Sequence, residues 1–169
     1  MEDPVNFAVS SDFTDAVADP ELPASEVHNV VFYLRTLKAP IPRDINTNRE
    51  MAGEEIFREI KCNACHTPAL TTATSDIAPL SEVKFYPYTD MLMHDMGSDL
   101  DDYYTEGTAT TSEWRTPPLW GLGLSKDAQG GQYFLMHDGR ATSIEQAILM
   151  HGGEGAQSRG AYQLSLIHI

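Results

Sequence analysis

Basic residues are scarce: 11 Lys and Arg stand against 25 Asp and Glu in 169 residues, a net charge of −14. A surface of that sign cannot neutralise a phosphate backbone, which excludes a nucleic-acid binder and favours a basic partner. Long apolar runs are missing as well. Nothing approaches the roughly 18 residues that a membrane-spanning helix requires, so no membrane span is expected. The first residues, MEDPVNFAVSSDF, lack the basic and then apolar segments of a signal peptide. There is no internal repeat, no strongly alternating strand, no phosphate-binding glycine loop and no nucleophile–base constellation, which argues against a hydrolase. Only two cysteines are present, too few for a disulfide scaffold. With 41% hydrophobic and 21% charged residues, the remainder is an ordinary globular composition that suits one domain.

Residues 1–43 read as a lead-in from a preceding domain or linker, with one helix near 25–37. Ser25 is its expected N-cap, Val27, Val30, Val31, Leu34 and Leu37 its apolar face, and Pro40 and Pro42 its stop. Residues 44–163 read as the main domain. Asn46 to Asn48 offer a cap for a second helix that puts Ala52, Ile56, Phe57 and Ile60 on one face and runs to about Lys61. The stretch 67–142 is rich in proline and loops, with short helical turns expected at 80–84 and 90–94. Thr142 and Glu145 have capping-box spacing for a short helix that places Ile144, Ala147, Ile148 and His151 on one face and stops at Gly152-Gly153. Residues 164–169, LSLIHI, match the translation of a sequencing-library adapter and are expected to be a non-native tail, so His168 is given no role.

Cys62-Asn63-Ala64-Cys65-His66 carries the chemistry. Two thiols about one helical turn apart can add to the two vinyl groups of a haem, and the adjoining His66 then becomes the proximal iron ligand. The preceding Gly53-Glu54-Glu55-Ile56-Phe57 fits a helix that covers a haem edge. A thioredoxin-like dithiol would follow a strand rather than a helix. A structural zinc site would need two more ligands, for which His137 and His151 are available only at long spacing. For the second axial position the chain offers Met91, Met93, His94, Met96, Met136, His137, Met150 and His151, and spacing does not rank them all. His151 stands out for lying on an apolar helix face, where a histidine without a haem is most often a satisfied core residue.

Arg115 and Arg140 are candidates to bind haem propionates, because guanidinium pairs with carboxylate in a bidentate manner; surface charge explains them equally well. Trp114 and Trp120 could wall the haem crevice or simply pack. Asp95, Asp99, Asp101, Asp102 and Glu106 form an acidic run that reads as a solvated loop or as a docking face for a basic redox partner.

The segments GEEIFREIKCNACHTPAL, YTDMLMHDMG, EWRTPPLWGLG, FLMHDGRATSIEQAILMHGGEG and VVFYLRTLKAPIPRD occur together and in order. In these, about residues 25–160 resemble the di-haem c-type oxidoreductases, relatives of bacterial di-haem cytochrome c peroxidases and of the di-haem enzyme that matures tryptophan tryptophylquinone. The resemblance implies a mostly α, cytochrome c-like domain with long irregular loops, truncated at both ends. It implies one haem c, on Cys62, Cys65 and His66, and a distal ligand at His151, where relatives place Met or Tyr. Histidine there implies bis-His ligation and a lowered potential. Further implications are a His137-Asp138-Gly139 turn that fixes a propionate or a domain contact, and a Met93–Met96 loop over the haem. A calcium ion through carbonyls near Gln132 and Phe134 is also implied, although half of its interface is lacking.

The family's N-terminal haem domain has no counterpart in the chain and is the expected partner. The helix that relatives carry after Gln163 is also missing, so Ala52, Ile56 and Phe57 are expected to stay uncovered. Covalent haem is attached outside the cytoplasm, which implies a periplasmic or other extracytoplasmic location. The expected function is an electron-relay domain of a peroxidase-like di-haem oxidoreductase, not active alone on peroxide; the alternative is a mono-haem electron carrier. A concave apolar pocket between Cys62–His66 and the 143–151 helix is expected.

Overall fold

The computed structural model describes residues 22–43 and 47–165, and Asn46 and His168 therefore lie outside it. The chain forms two compact units, Met1–Ala39 and Pro40–Ile169. In the first, α1 (Ala24–Arg35) begins behind Pro23 rather than at a Ser25 cap, and no side chain caps it. It ends before the prolines, because the Thr36 hydroxyl donates to the Phe32 and Tyr33 carbonyls, both at 3.0 Å. Those bonds satisfy carbonyls at the helix end and close the last turn. Its apolar side chains Val30, Val31, Phe32 and Leu34 are all exposed.

The regular structure of the second unit is mainly helical, with little strand and long loops between. Helix α2 (Asn48–Glu59) is capped by Thr47, whose hydroxyl accepts from the Glu50 amide at 3.2 Å. The helix stops because Lys61 turns into the left-handed region at φ 62°. A 3₁₀ turn, Cys62–Ala64, follows directly. Ala52 and Ile56 stay exposed, as expected, whereas Phe57, expected to be uncovered too, is half-buried against Tyr88, and Ile60 is buried.

The loop-rich middle holds two small antiparallel ribbons. β1 (Leu70–Thr71) pairs with β2 (Lys84–Phe85). β3 (Met93–Asp95) pairs with β4 (Glu113–Arg115) in the register Met93↔Arg115, His94↔Trp114, Asp95↔Glu113. The segment read as a loop over a haem is thus a strand. The short turns fall at Ala78–Leu80 and Ser98–Leu100, the second well past the expected 90–94. Helix α3 (Leu122–Ala128) was not foreseen: it starts behind Gly121 in the left-handed region, with no capping side chain to announce it.

Helix α4 (Ile144–Leu149) is the expected short helix, with its cap one residue later than read. Ser143 accepts from the Gln146 amide at 3.1 Å, and the Gln146 side chain accepts from the Thr142 amide and hydroxyl at 2.9 and 3.0 Å. This is a variant of the capping box, with Ser-x-x-Gln spacing but the glutamine reaching back to the residue before the cap. After a 3₁₀ turn at Gly153–Gly155, α5 (Ala156–Ser165) forms, a helix the Gly-Gly stop had not predicted. It reaches two residues into the segment read as a tail.

Few side chains are fully covered. The apolar core of the described residues is Ile60, Leu100 and Ala141, joined by buried Thr89 and Thr116 and by Pro87. Thr89 earns its place by donating to the Thr116 carbonyl at 2.6 Å and accepting from the Met91 amide at 2.9 Å. That pairing ties the segment beside His66 to the strand-and-proline segment Glu113–Pro118. No described helix is long and apolar enough to cross a membrane.

Candidate haem site

The C-x-x-C-H segment folds onto itself and onto residues 86–90. The His66 amide donates to the Cys62 carbonyl at 3.0 Å, and the Asp90 amide to the Cys65 carbonyl at 2.9 Å. His66 Nδ1 lies 3.0 Å from the Tyr88 carbonyl. A carbonyl only accepts, so Nδ1 carries the proton and Nε2 keeps the lone pair. Burial lowers the His66 pKa below its ordinary value, outweighing the opposite effect of that hydrogen bond, and so favours the neutral ring. Tyr88 presents its carbonyl from a left-handed backbone, φ 55°, which costs about 1–2 kcal/mol for a residue with a side chain. Phe57 of α2 packs edge-on against the Tyr88 ring, with centroids 5.8 Å apart, and holds this strained residue in place.

His151 comes just after Met150, the C-cap of α4. Its Nδ1 donates to the Ala147 carbonyl at 2.7 Å, leaving Nε2 as the remaining nitrogen. The His66 and His151 rings lie near each other, with centroids 6.4 Å apart and planes tilted by 50°. Gly155 lies close under the His151 ring: a Cβ there would sit 3.1 Å from His151 Cβ.

Gly152 and Gly153 were expected to admit a flat macrocycle. They serve another purpose, letting the turn lie against the 95–97 backbone. A Cβ on Gly152 would stand 2.5 Å from the Met96 carbonyl oxygen, and one on Gly153 would run into the Asp95 carbonyl. Gly153 also has φ 47°. Gly153→Ala is therefore expected to destabilise the fold by about 2 kcal/mol or more. Urea unfolding checks this, with Gly160→Ala, whose Cβ would meet nothing within 4 Å, as the tolerated control.

Both cysteines are free thiols. Burial raises both pKa values, aided at Cys65 by the negative charges of Asp90 and Glu154. The pair thus lacks the lowered thiol pKa of a redox-active dithiol. Among the described residues, one set of three candidate metal ligands lies within 4.8 Å: Cys65, Asp90 and His94. Cys62, His137 and His151 are outside it, so the zinc alternative built on them is not assembled. His94 has both ring nitrogens on carboxylates, Nε2 at 2.8 Å from Asp90 and Nδ1 at 2.8 Å from Glu154. That engagement takes it out of the contest for an axial position.

The remaining candidates are dispersed. His137 stacks flat on Trp114, centroids 3.6 Å apart and planes within 7°. Trp114 Nε1 donates to the Leu100 carbonyl at 2.8 Å. Arg140 donates through Nε to Asp138 at 2.6 Å and through Nη1 to the Asp99 carbonyl at 2.9 Å, so its guanidinium braces the His137-Asp138-Gly139 turn. Arg115 is exposed on β4, and Met91 and Met93 are exposed as well. Gln132 lines a surface hollow with Lys126, Gly131, Tyr133, Thr142 and Ser143. A second hollow lies at Arg43, Thr47, Arg49 and Glu50. Neither is the apolar pocket expected between Cys62–His66 and α4.

No curated protein and no solved structure matches the chain significantly. A sequence model of the family described as "Di-haem oxidoreductase, putative peroxidase" matches residues 6–166, nearly the whole length, and the chain belongs to this di-haem oxidoreductase family.

Proposed function

We propose that this chain is a c-type haem domain that relays electrons, with Cys62 and Cys65 as the thioether attachment points and His66 and His151 as the axial ligands. What carries the reading is the pair of neighbouring rings, each with its Nδ1–H given to a backbone carbonyl. Metal-binding histidines commonly hold the second nitrogen in this way, which fixes the tautomer and the ring plane. Two imidazoles bonded through Nε2 to one iron at about 2 Å per bond have centroids about 6.3 Å apart. The 6.4 Å between His66 and His151 fits that spacing. The small apolar core also fits a fold completed by a large flat apolar group, because a chain of this size ordinarily buries roughly 70% of its surface.

A haem held here supplies one-electron cycling between ferric and ferrous iron. The residues of the chain do the rest. Cys62 and Cys65 fix the edge of the group to the end of α2. Tyr88 and Ala147 hold the two rings so that little rearrangement accompanies a change of charge. His66 and His151 would together hold the group and leave peroxide no open site, so the domain would pass electrons rather than reduce peroxide. The acidic run Asp99, Asp101, Asp102 and Glu106 offers a docking face to a basic redox protein. The second haem of the family belongs to a separate domain, with which this one exchanges electrons, and both work outside the cytoplasm, where thioether attachment takes place.

Coexpression of the chain with a cytochrome c maturation system tests the reading. One haem per chain is expected, resistant to acid–acetone extraction, with a low-spin ferric spectrum. A colourless chain, or haem that washes out on denaturation, overturns it.

A further inference from the structure

Resting on that reading, we propose that His94 is a positioning residue: bridged between Asp90 and Glu154, it holds the turn that carries His151 at the distance from the C-x-x-C-H segment that lets the two axial rings share one iron.

The connection can be followed atom by atom. The Asp90 amide donates to the Cys65 carbonyl at 2.9 Å, which fastens Asp90 to the haem-attachment segment. The Leu92 amide donates to Asp90 Oδ1 at 3.0 Å and orients the carboxylate. Its other oxygen, Oδ2, takes His94 Nε2 at 2.8 Å. On the far side of the ring, Nδ1 meets Glu154 Oε2 at 2.8 Å. Glu154 Oε1 accepts from the Asp95 amide at 3.1 Å, so one carboxylate grips both the side chain of His94 and the backbone of β3. Glu154 stands three residues after His151, on the turn whose glycines lie against Asp95 and Met96.

The polar path therefore runs from Cys65 through Asp90, His94 and Glu154 to the His151 turn, and His94 Nδ1 also lies 3.7 Å from Cys65 Sγ. A carboxylate only accepts, so an imidazole between two of them donates from both nitrogens and carries a positive charge. Glu154 raises its pKa most, with Asp90 adding to the effect. At 15% side-chain exposure for His94 and 14% for Asp90, that half of the bridge is largely shielded from solvent. Charge-assisted bonds of this kind are short and directional, which is what a spacer requires. Apolar packing cannot take over the task, because few side chains in this unit are fully buried.

The experiment uses the haem-loaded chain and two variants, His94→Gln and Glu154→Ala. The readouts are the ferric electron paramagnetic resonance spectrum and the rate of cyanide binding to the ferric iron. Ligand entry scales with the fraction of molecules in which His151 is off the iron, so cyanide is expected to bind about tenfold faster or more in both variants. Part of the low-spin signal is expected to become high-spin. A role in stability alone would lower the unfolding midpoint and leave spectrum and cyanide rate unchanged. Free imidazole at high concentration is expected to restore the low-spin signal, because it supplies the ligand that the loosened turn misplaces.

Unchanged spectra and cyanide rates in both variants, alongside a high-spin His151→Ala, would overturn the role of His94 and leave bis-His ligation standing. A low-spin His151→Ala would instead overturn the ligand assignment itself, and this proposal with it. Should His94→Gln fail to accumulate with haem, Glu154→Ala decides alone, since Glu154 is 56% exposed and its loss leaves Asp90 and His94 paired.

Discussion

Replacing Cys62 and Cys65 together with serine should abolish gel-stable haem completely, while the unaltered chain from the same maturation system keeps its haem through denaturation. Each thioether needs one thiol, and these are the only two cysteines in the chain. Serine is close to cysteine in size, so the 3₁₀ turn and the His66 amide bond to the Cys62 carbonyl should survive. His66 and His151 remain, and so the double variant is expected to bind free haem reversibly and to lose it to acid–acetone. Each single variant should retain one thioether and a gel-stable band, with its absorption shifted by the unreacted vinyl group. Loss of all haem affinity in the double variant would mean that the two histidines contribute little. Gel-stable haem in it would refute attachment at these positions.

The motif made this part of the site legible at once, because C-x-x-C-H concentrates three functional atoms within five residues. His151 lies 85 residues further on, and only its helix face and the family pattern pointed to it. The spacing between the two rings depends on a third histidine that sequence could not rank. His94 has one partner four residues away and another sixty residues away, and nothing local distinguishes it from Met93 or Met96. Its strand was equally hidden. β3 and β4 are three residues each, flanked by glycine, proline and acids, and exist because they pair with each other.

Helices were legible where side chains cap them. The Asn46–Asn48 stretch, which contains the cap Thr47, announced α2, and Thr142 with Glu145 announced α4 one residue early, because Ser143 and Gln146 are the pair that caps it. Helix α3 has only a left-handed Gly121 before it, and α5 follows a turn whose glycines looked like a stop. Those glycines are there for backbone contact with residues 95–97, which no local pattern records.

His151→Ala should convert the ferric haem from low-spin to high-spin almost entirely, with His66 left as the sole protein ligand. Alanine removes the imidazole whose centroid lies 6.4 Å from that of His66. Among the described residues, the other histidine candidates are engaged, His94 by its carboxylates and His137 by Trp114, and Met91 and Met93 are exposed, which leaves Met96, Met136 and Met150 as the half-buried rivals. The fold itself should tolerate the change, since His151 is only half-buried and its one hydrogen bond is to the Ala147 carbonyl within the same turn. The open position should then bind cyanide rapidly and admit peroxide, giving the relay domain a weak peroxidase activity it otherwise lacks. His151→Met separates ligand identity from mere occupancy: a thioether favours ferrous iron, so the potential should rise by on the order of 100 mV while the spectrum stays low-spin. Potentiometric titration of the wild type and both variants checks the set. A low-spin His151→Ala with an unshifted potential would assign the distal position to another residue, and Met150, which caps the same helix, would be the first to replace.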